Sequence, residues 1–304
     1  MKEKNEFDVI IIGGSYSGLS AAMALGRSLK KVLIIDAGDP CNKQTPHSHN
    51  FLTQDGKTPA EIASLAREQV LKYKTVSLLN DIAIYGTKTN EIFEIRTRLG
   101  ELFLGKKLIF STGIKDIMPK IKGFAACWGI SMIHCPYCHG YEFNGQKTGI
   151  MSNGDSAFHY AQLVNNLTDD LTILTSGKAN FTEAQRIKLA SHNIDVIEAE
   201  IIAVEHEKGM VEKIVFNDGT KVQFDAIYGS RPFEHNSEIP MLLGCELTEQ
   251  GYLKVDDMQR TSVKGIFACG DITTPMRSVA NAVYTGGLAG AALNMELTTT
   301  TELF

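Results

Sequence analysis

The chain has no basic excess. Its 30 lysines and arginines stand against 35 aspartates and glutamates, giving a net charge of −5 and a pI near 5.9. Without a positive field for a phosphate backbone, nucleic-acid binding is excluded. Long apolar runs are also missing. The one after the charged start Met1-Lys2-Glu3-Lys4-Asn5-Glu6 has only a strand's length before glycines interrupt it. That argues against a signal peptide or spanning helix and makes a cytoplasmic, membrane-free protein the expectation. Low-complexity tracts and coiled-coil heptads are absent, and the threonines from Thr298 to Thr301 read as a polar tail. Cysteine is sparse, with six in 304 residues. In a reducing compartment that favours one catalytic pair over three structural bridges. At 43% hydrophobic, the chain can bury two modest cores.

The cysteine pair is Cys135-Pro136-Tyr137-Cys138-His139. Two residues between the sulfurs let them close a small ring, and a following helix would turn its positive end toward them and lower the thiol pKa. The pattern reads as a redox-active dithiol able to form a disulfide bond. A structural zinc site would need a second pair, and Cys41, Cys127, Cys245 and Cys269 supply none at such spacing. Cys127, Cys245 and Cys269 lie among apolar or small residues and read as buried fillers. Cys41 shares a polar stretch with His47 and His49, but without regular ligand spacing, so no metal site is expected.

The opening segment carries a nucleotide-binding signature. Phe7 to Ile12 reads as a buried parallel strand, Gly13-Gly14-Ser15-Tyr16-Ser17-Gly18 as a turn, and Leu19 to Leu25 as a small-residue helix. A second strand, Lys31 to Ile35, ends in Asp36, 23 residues beyond Gly13, where an acid can bind ribose hydroxyls. Ser15 departs from G-x-G-x-x-G at the position that faces the pyrophosphate, though its hydroxyl is small enough to fit. Far downstream, Gly265 to Asp271 reads as a short strand ending in Gly270-Asp271, followed by Arg277-Ser278-Val279-Ala280 at the start of a helix to about Leu293.

Together these motifs resemble the low-molecular-weight thioredoxin reductase family over nearly the whole chain. The resemblance implies FAD held by Gly13, Ser15, Gly18, Asp36, Gly270 and Asp271, with Ser278 and Val279 at a helix start facing the flavin ring. Ser111-Thr112-Gly113 is similar to the family's crossover between domains. The loop Thr45-Pro46-His47-Ser48-His49-Asn50-Phe51 falls where relatives run past the flavin, so Asn50 joins the cofactor-binding candidates. His47 and His49 point opposite ways in an extended chain, so at most one faces the site. The string Cys-Pro-Tyr-Cys-His-Gly-Tyr-Glu at Cys135 to Glu142 resembles the gliotoxin- and holomycin-type dithiol oxidases more than ordinary reductases, which carry Asp where this chain has His139.

An approximate repeat organises the rest. Val9 to Ala22 is echoed by Thr148 to Tyr160, with Ser152-Asn153-Gly154-Asp155-Ser156-Ala157 as a second turn, a helix to about Asn165 and the strand Leu171 to Leu174. The expected fold is α/β, two Rossmann-like dinucleotide-binding domains with the second inserted into a discontinuous FAD domain. Residues 1–117 and 246–304 would form the FAD domain and 118–245 an NAD(P)-binding-like domain carrying the dithiol. Segments Gly113 to Lys122 and Gly229 to Asn236 read as the linkers.

The second nucleotide site lacks what NADPH needs. Ser152 replaces the first motif glycine, and the recognition position holds Thr175-Ser176-Gly177, with neither arginine for a 2′-phosphate nor acid for a ribose and only Lys178 following. Asp155-Ser156 reads as a helix cap. NADPH is therefore doubtful, and the favoured reading is an FAD-dependent thiol–disulfide oxidoreductase that oxidises a dithiol, with a small dithiol or disulfide or a thioredoxin-like protein as partner. By the resemblance Cys135 faces substrate, Cys138 lies nearest the flavin, and the protein is a homodimer. His139 would move protons near neutral pH. Competing readings are an NADPH-dependent thioredoxin reductase with a divergent site, a ferredoxin-fed flavoenzyme, and a non-catalytic FAD-binding redox sensor.

Overall fold

The computed structural model describes residues 5–299. The charged opening Met1–Lys4 and the last expected tail threonines, Thr300 and Thr301, lie outside the described residues. The chain divides into two compact units, one made of Met1–Lys43, Phe51–Lys115 and Glu234–Phe304, the other of Gln44–Asn50 and Asp116–Phe233.

The first unit is built on the strands Val76–Asn80, Val32–Asp36, Glu6–Ile12 and Leu102–Phe110, parallel and in that order. Ile266–Ala268 runs parallel to Leu102–Phe110, and Ile92–Thr97 and Ala83–Thr89 add antiparallel strands. The strands read as unbroken apolar runs because both faces are covered. Val9, Ile11, Val32 and Ile34 pack with Leu19, Leu25, Ala289 and Leu293 of two helices, whereas Ile10, Ile12, Leu33 and Ile35 join Phe93, Phe103 and Leu253 in the other core. Those helices, Tyr16–Arg27 and Val279–Thr299, meet through small residues. A Cβ on Gly286 would lie 2.1 Å from the Ser17 carbonyl oxygen, so glycine sets how closely their backbones approach.

The second unit carries a five-stranded parallel sheet in the order Asp195–Ile197, Leu171–Leu174, Thr148–Ile150, Ala226–Tyr228, Met132–Ile133. An antiparallel meander of Ile201–Glu207, Met210–Phe216 and Lys221–Gln223 accompanies it. The helix Gly154–Val164 closes one face with Ala157, Ala161 and Val164 against Ile150 and Ile173.

Several expectations are corrected. The last crossing between units falls at Phe233/Glu234, not near 245, because Ile239 and Cys245 pack into the first unit's core beside Leu253. The strap Gln44–Asn50 belongs with the second unit, tied there by the bond from Gln44 Nε2 to the Trp128 carbonyl, 3.2 Å. Thr298 and Thr299 are not tail but the last turn of a helix, their hydroxyls donating to the carbonyls of Asn294 and Met295 at 3.0 Å. No helix among the described residues is long and apolar enough to cross a membrane.

Candidate active site

The first glycine turn is shaped for a dinucleotide. Gly13 has φ of +104°, and a Cβ there would sit 2.3 Å from the Ser111 carbonyl oxygen; on Gly18 it would sit 2.0 Å from that of Gly13. Ser15 is the N-cap of Tyr16–Arg27 but makes no side-chain cap bond, so its hydroxyl does not take up a first-turn amide. An anion at that helix start would meet first-turn amides and the positive dipole end. Asp36 accepts from the Gly14 N–H at 2.9 Å and from Arg67 Nη2 at 3.1 Å, which fixes the carboxylate and leaves acceptor capacity for hydroxyls.

The remaining cofactor candidates of this unit also fit a polar ligand. Thr112 Oγ1 is buried with no hydrogen-bond partner among the described residues, while its carbonyl accepts from Asn236 Nδ2 at 2.8 Å. Such an orphaned hydroxyl costs free energy unless a ligand satisfies it. Gly113 has φ of +64°. Gly270 donates its N–H to Thr285 Oγ1 at 3.0 Å, and Asp271 lies 3.7 Å from Arg277 Nε. Ser278 Oγ accepts from the Asn281 N–H at 3.1 Å, and the helix begins at Val279. Asn50, in left-handed backbone with φ of 57°, lies in the strap that belongs to the other unit.

In the second unit Cys135 and Cys138 are joined as a disulfide, with Cα atoms 5.3 Å apart. Cys135 is the N-cap of a helix that lasts only from Pro136 to His139, so the expected dipole at the sulfurs comes from a single turn and is small. The lead-in is held where Tyr160 Oη donates to the His134 carbonyl at 2.9 Å. Tyr137, between the cysteines, is 67% exposed. His139 closes the turn and meets the His49 ring edge-on at a centroid distance of 6.0 Å. His49 Nε2 lies 3.4 Å from Glu142 Oε1. Of the two strap histidines it is therefore His49 that reaches the dithiol motif; His47 is exposed, its ring 6.4 Å from that of His49. Burial, then the nearby His49, holds the His139 pKa below the ordinary imidazole value, against the opposing charge of Glu142.

The other cysteines are poor nucleophiles or lie elsewhere. Burial pushes the Cys127 thiol up to about 11 and that of Cys269 to about 12, and raises that of Cys245. Cys41 is exposed, and its sulfur lies 4.0 Å from the Asp271 carboxylate.

The second glycine turn is closed by its own side chains. Asn153, not Asp155 or Ser156, caps the helix: Oδ1 accepts from the Gly154 N–H at 2.8 Å and from the Asn180 N–H at 2.9 Å, and Nδ2 donates to the Lys178 carbonyl at 2.9 Å. Asp155 sits inside the first turn and accepts from Gln185 Nε2 at 2.7 Å. Thr175 Oγ1 donates to the Gly177 carbonyl at 2.6 Å, and Ser176 Oγ accepts from the Ile201 N–H at 3.1 Å. The recognition loop thus spends its hydroxyls on backbone.

The sequence family of pyridine nucleotide-disulphide oxidoreductases matches residues 7–286. The chain is 32% identical to thioredoxin reductase tcpT of Claviceps purpurea, covering 98% of this chain and 96% of that one. Among solved structures, an oxidoreductase from Agrobacterium tumefaciens superimposes with a TM-score of 0.91 at 34% identity, covering 97% of this chain and 99% of that one. HlmI does so with a TM-score of 0.92 at 27% identity over 98% and 95%.

Proposed function

The chain belongs to the pyridine nucleotide-disulphide oxidoreductase family, and from that premise we propose an FAD-dependent enzyme that oxidises a dithiol substrate at Cys135–Cys138 without NADPH. The observation that carries this reading is the closed second turn. The Asn153 carboxamide occupies the Gly154 amide, the donor a dinucleotide phosphate would take, and bridges to the loop where the 2′-phosphate would be read. Charge-assisted contacts to phosphate are worth about 1.5–3 kcal/mol each, and the Thr175-Ser176-Gly177 loop supplies no charged partner. The likeness to tcpT and HlmI supports placing the chain with the dithiol-oxidising branch.

A substrate thiolate attacks the Cys135 sulfur, the Cys135–Cys138 bond breaks, and Cys138 leaves as thiolate. The second substrate thiolate then attacks the substrate sulfur of the mixed disulfide, expelling Cys135 thiolate and releasing substrate as a disulfide. Two electrons now reside on the enzyme dithiol, and His139 takes and returns the thiol protons. FAD, when bound, supplies the two-electron acceptor that restores the disulfide, with dioxygen as final oxidant. Gly13, Ser15, Gly18, Asp36, Thr112, Gly113, Gly270, Asp271, Ser278 and Val279, all of the first unit, hold it in this reading. Anaerobic mixing tests the proposal: dithiothreitol should bleach the flavin and NADPH should not. Saturable bleaching at micromolar NADPH would restore the ordinary reductase.

A further inference from the structure

We propose that His49, His139 and Glu142 form a binding site for a divalent cation of the zinc class beside the dithiol. Their three ligand atoms lie within 4.8 Å of one another. Two imidazole nitrogens and a carboxylate oxygen are a donor set suited to zinc, and the imidazoles select against calcium and magnesium, which prefer oxygen. One edge of the coordination polyhedron already exists. Ligands at about 2.1 Å on a tetrahedral ion stand about 3.4 Å apart, and His49 Nε2 and Glu142 Oε1 are 3.4 Å apart.

Only the third ligand has to close in, and each ligand's backbone is anchored, so the closing is left to the side chains. Glu142 lies in the turn Tyr141–Phe143, pinned by buried Phe143. His139 ends the turn that begins at the disulfide. His49 follows buried Ser48 on the strap that Gln44 ties to Trp128. All three residues belong to one unit. A bound cation would occupy the His139 lone pair and so act as a reversible inhibitor of proton transfer; that consequence rests on the proposed function, whereas binding itself does not.

Binding is read on the FAD-loaded, oxidised protein without turnover, so a failed dithiol assay leaves it standing and a failed titration leaves the dithiol reading standing. Competition between the protein and a chromophoric chelator for Zn²⁺ should give one equivalent per chain. Glu142→Gln, a conservative change, and His49→Ala should each weaken it about 100-fold or more, beyond the 10–100-fold typical of an outer-shell change. His47→Ala, an exposed neighbour, should leave it unchanged. X-ray absorption at the zinc edge should show nitrogen and oxygen only. Equal affinity in Glu142→Gln, His49→Ala and the unmodified protein overturns the site, as does a sulfur shell near ~2.3 Å, which would assign the ion to reduced cysteines instead.

Discussion

Cys135 and Cys138 occupy unlike positions on the same turn. Cys135 caps the one-turn helix in extended backbone, while Cys138 lies inside that turn next to His139. In Cys138→Ser no internal disulfide can form, and a Cys135 thiol exchanged with a linear disulfide probe keeps its adduct, because the released half is not tethered to displace it. Treated with that probe, the variant should keep FAD, carry one probe thiol per chain on Cys135 by mass spectrometry, and show no flavin reduction by a dithiol; Cys135→Ser should carry none. Turnover near normal in both would eliminate the dithiol mechanism. At His139 the folded state prefers the neutral ring, so its pKa lies below the unfolded value near ~6.5. Between those two values the unfolded chain binds the extra proton, so stability rises with pH and is lost as pH falls through the window. His139→Gln should flatten that acid-side loss in urea midpoints measured between about pH 7.5 and 5.5. It should also slow proton transfer about 10²–10⁴-fold with the disulfide still forming. An unchanged rate and pH profile would remove the histidine from the mechanism.

The helix pair Tyr16–Arg27 and Val279–Thr299 would set the geometry of the proposed cofactor cradle, because the first begins just after Ser15 and the second just after Ser278. Gly286→Ala would drive a methyl to 2.1 Å from the Ser17 carbonyl oxygen, backbone that cannot step aside. Overpacking of this kind costs about 1–3 kcal/mol, and here it should also reduce the FAD retained after gel filtration. Gly287→Ala meets only Ser20 Oγ at 3.3 Å and should retain FAD with unchanged or improved stability. Equal FAD loss in the two would show that helix contact does not govern the cradle. At this scale the sequence is readable where local rules decide. The strands Glu6–Ile12, Val32–Asp36 and Leu171–Leu174 stand out as apolar runs, and two of the four unit crossings, at 115/116 and 233/234, fall within the linkers marked by Gly113 to Lys122 and Gly229 to Asn236. The helix Pro59–Leu71 carries a local signal as well, the capping box of Thr58 and Glu61, but it lies outside every motif that points to a nucleotide or a thiol. The strand Ala83–Thr89 gives a misleading apolar signal, because Ile84 and Tyr85 face solvent while Ala83 and Gly86 are buried. The place of the strap is not legible at all. Nothing local in Gln44–Asn50 announces that His49 meets Glu142, since that contact joins distant segments and exists only after the second unit folds.

At the scale of the molecule, the proposed FAD cradle belongs to one unit assembled from three chain segments, and the dithiol to the other. A ligand that binds only the folded first unit stabilises it by mass action, about 2.7 kcal/mol at 100 times its dissociation constant. Protection should therefore appear unevenly. Adding FAD to apoprotein should slow hydrogen exchange of the strand amides Val9 to Ile12, whose sheet ends at the Gly13 turn, while Ile150, Ile173 and Ile227 in the second parallel sheet exchange as before. FMN should protect neither set, because it lacks the adenosine half that the Gly13 turn and Asp36 hold in the proposed reading. Heat release from the yellow holoprotein should yield FAD. Equal protection by FMN, or protection by FAD of the second sheet alone, would move the cofactor out of the first unit and remove the basis for separating flavin and dithiol into different units.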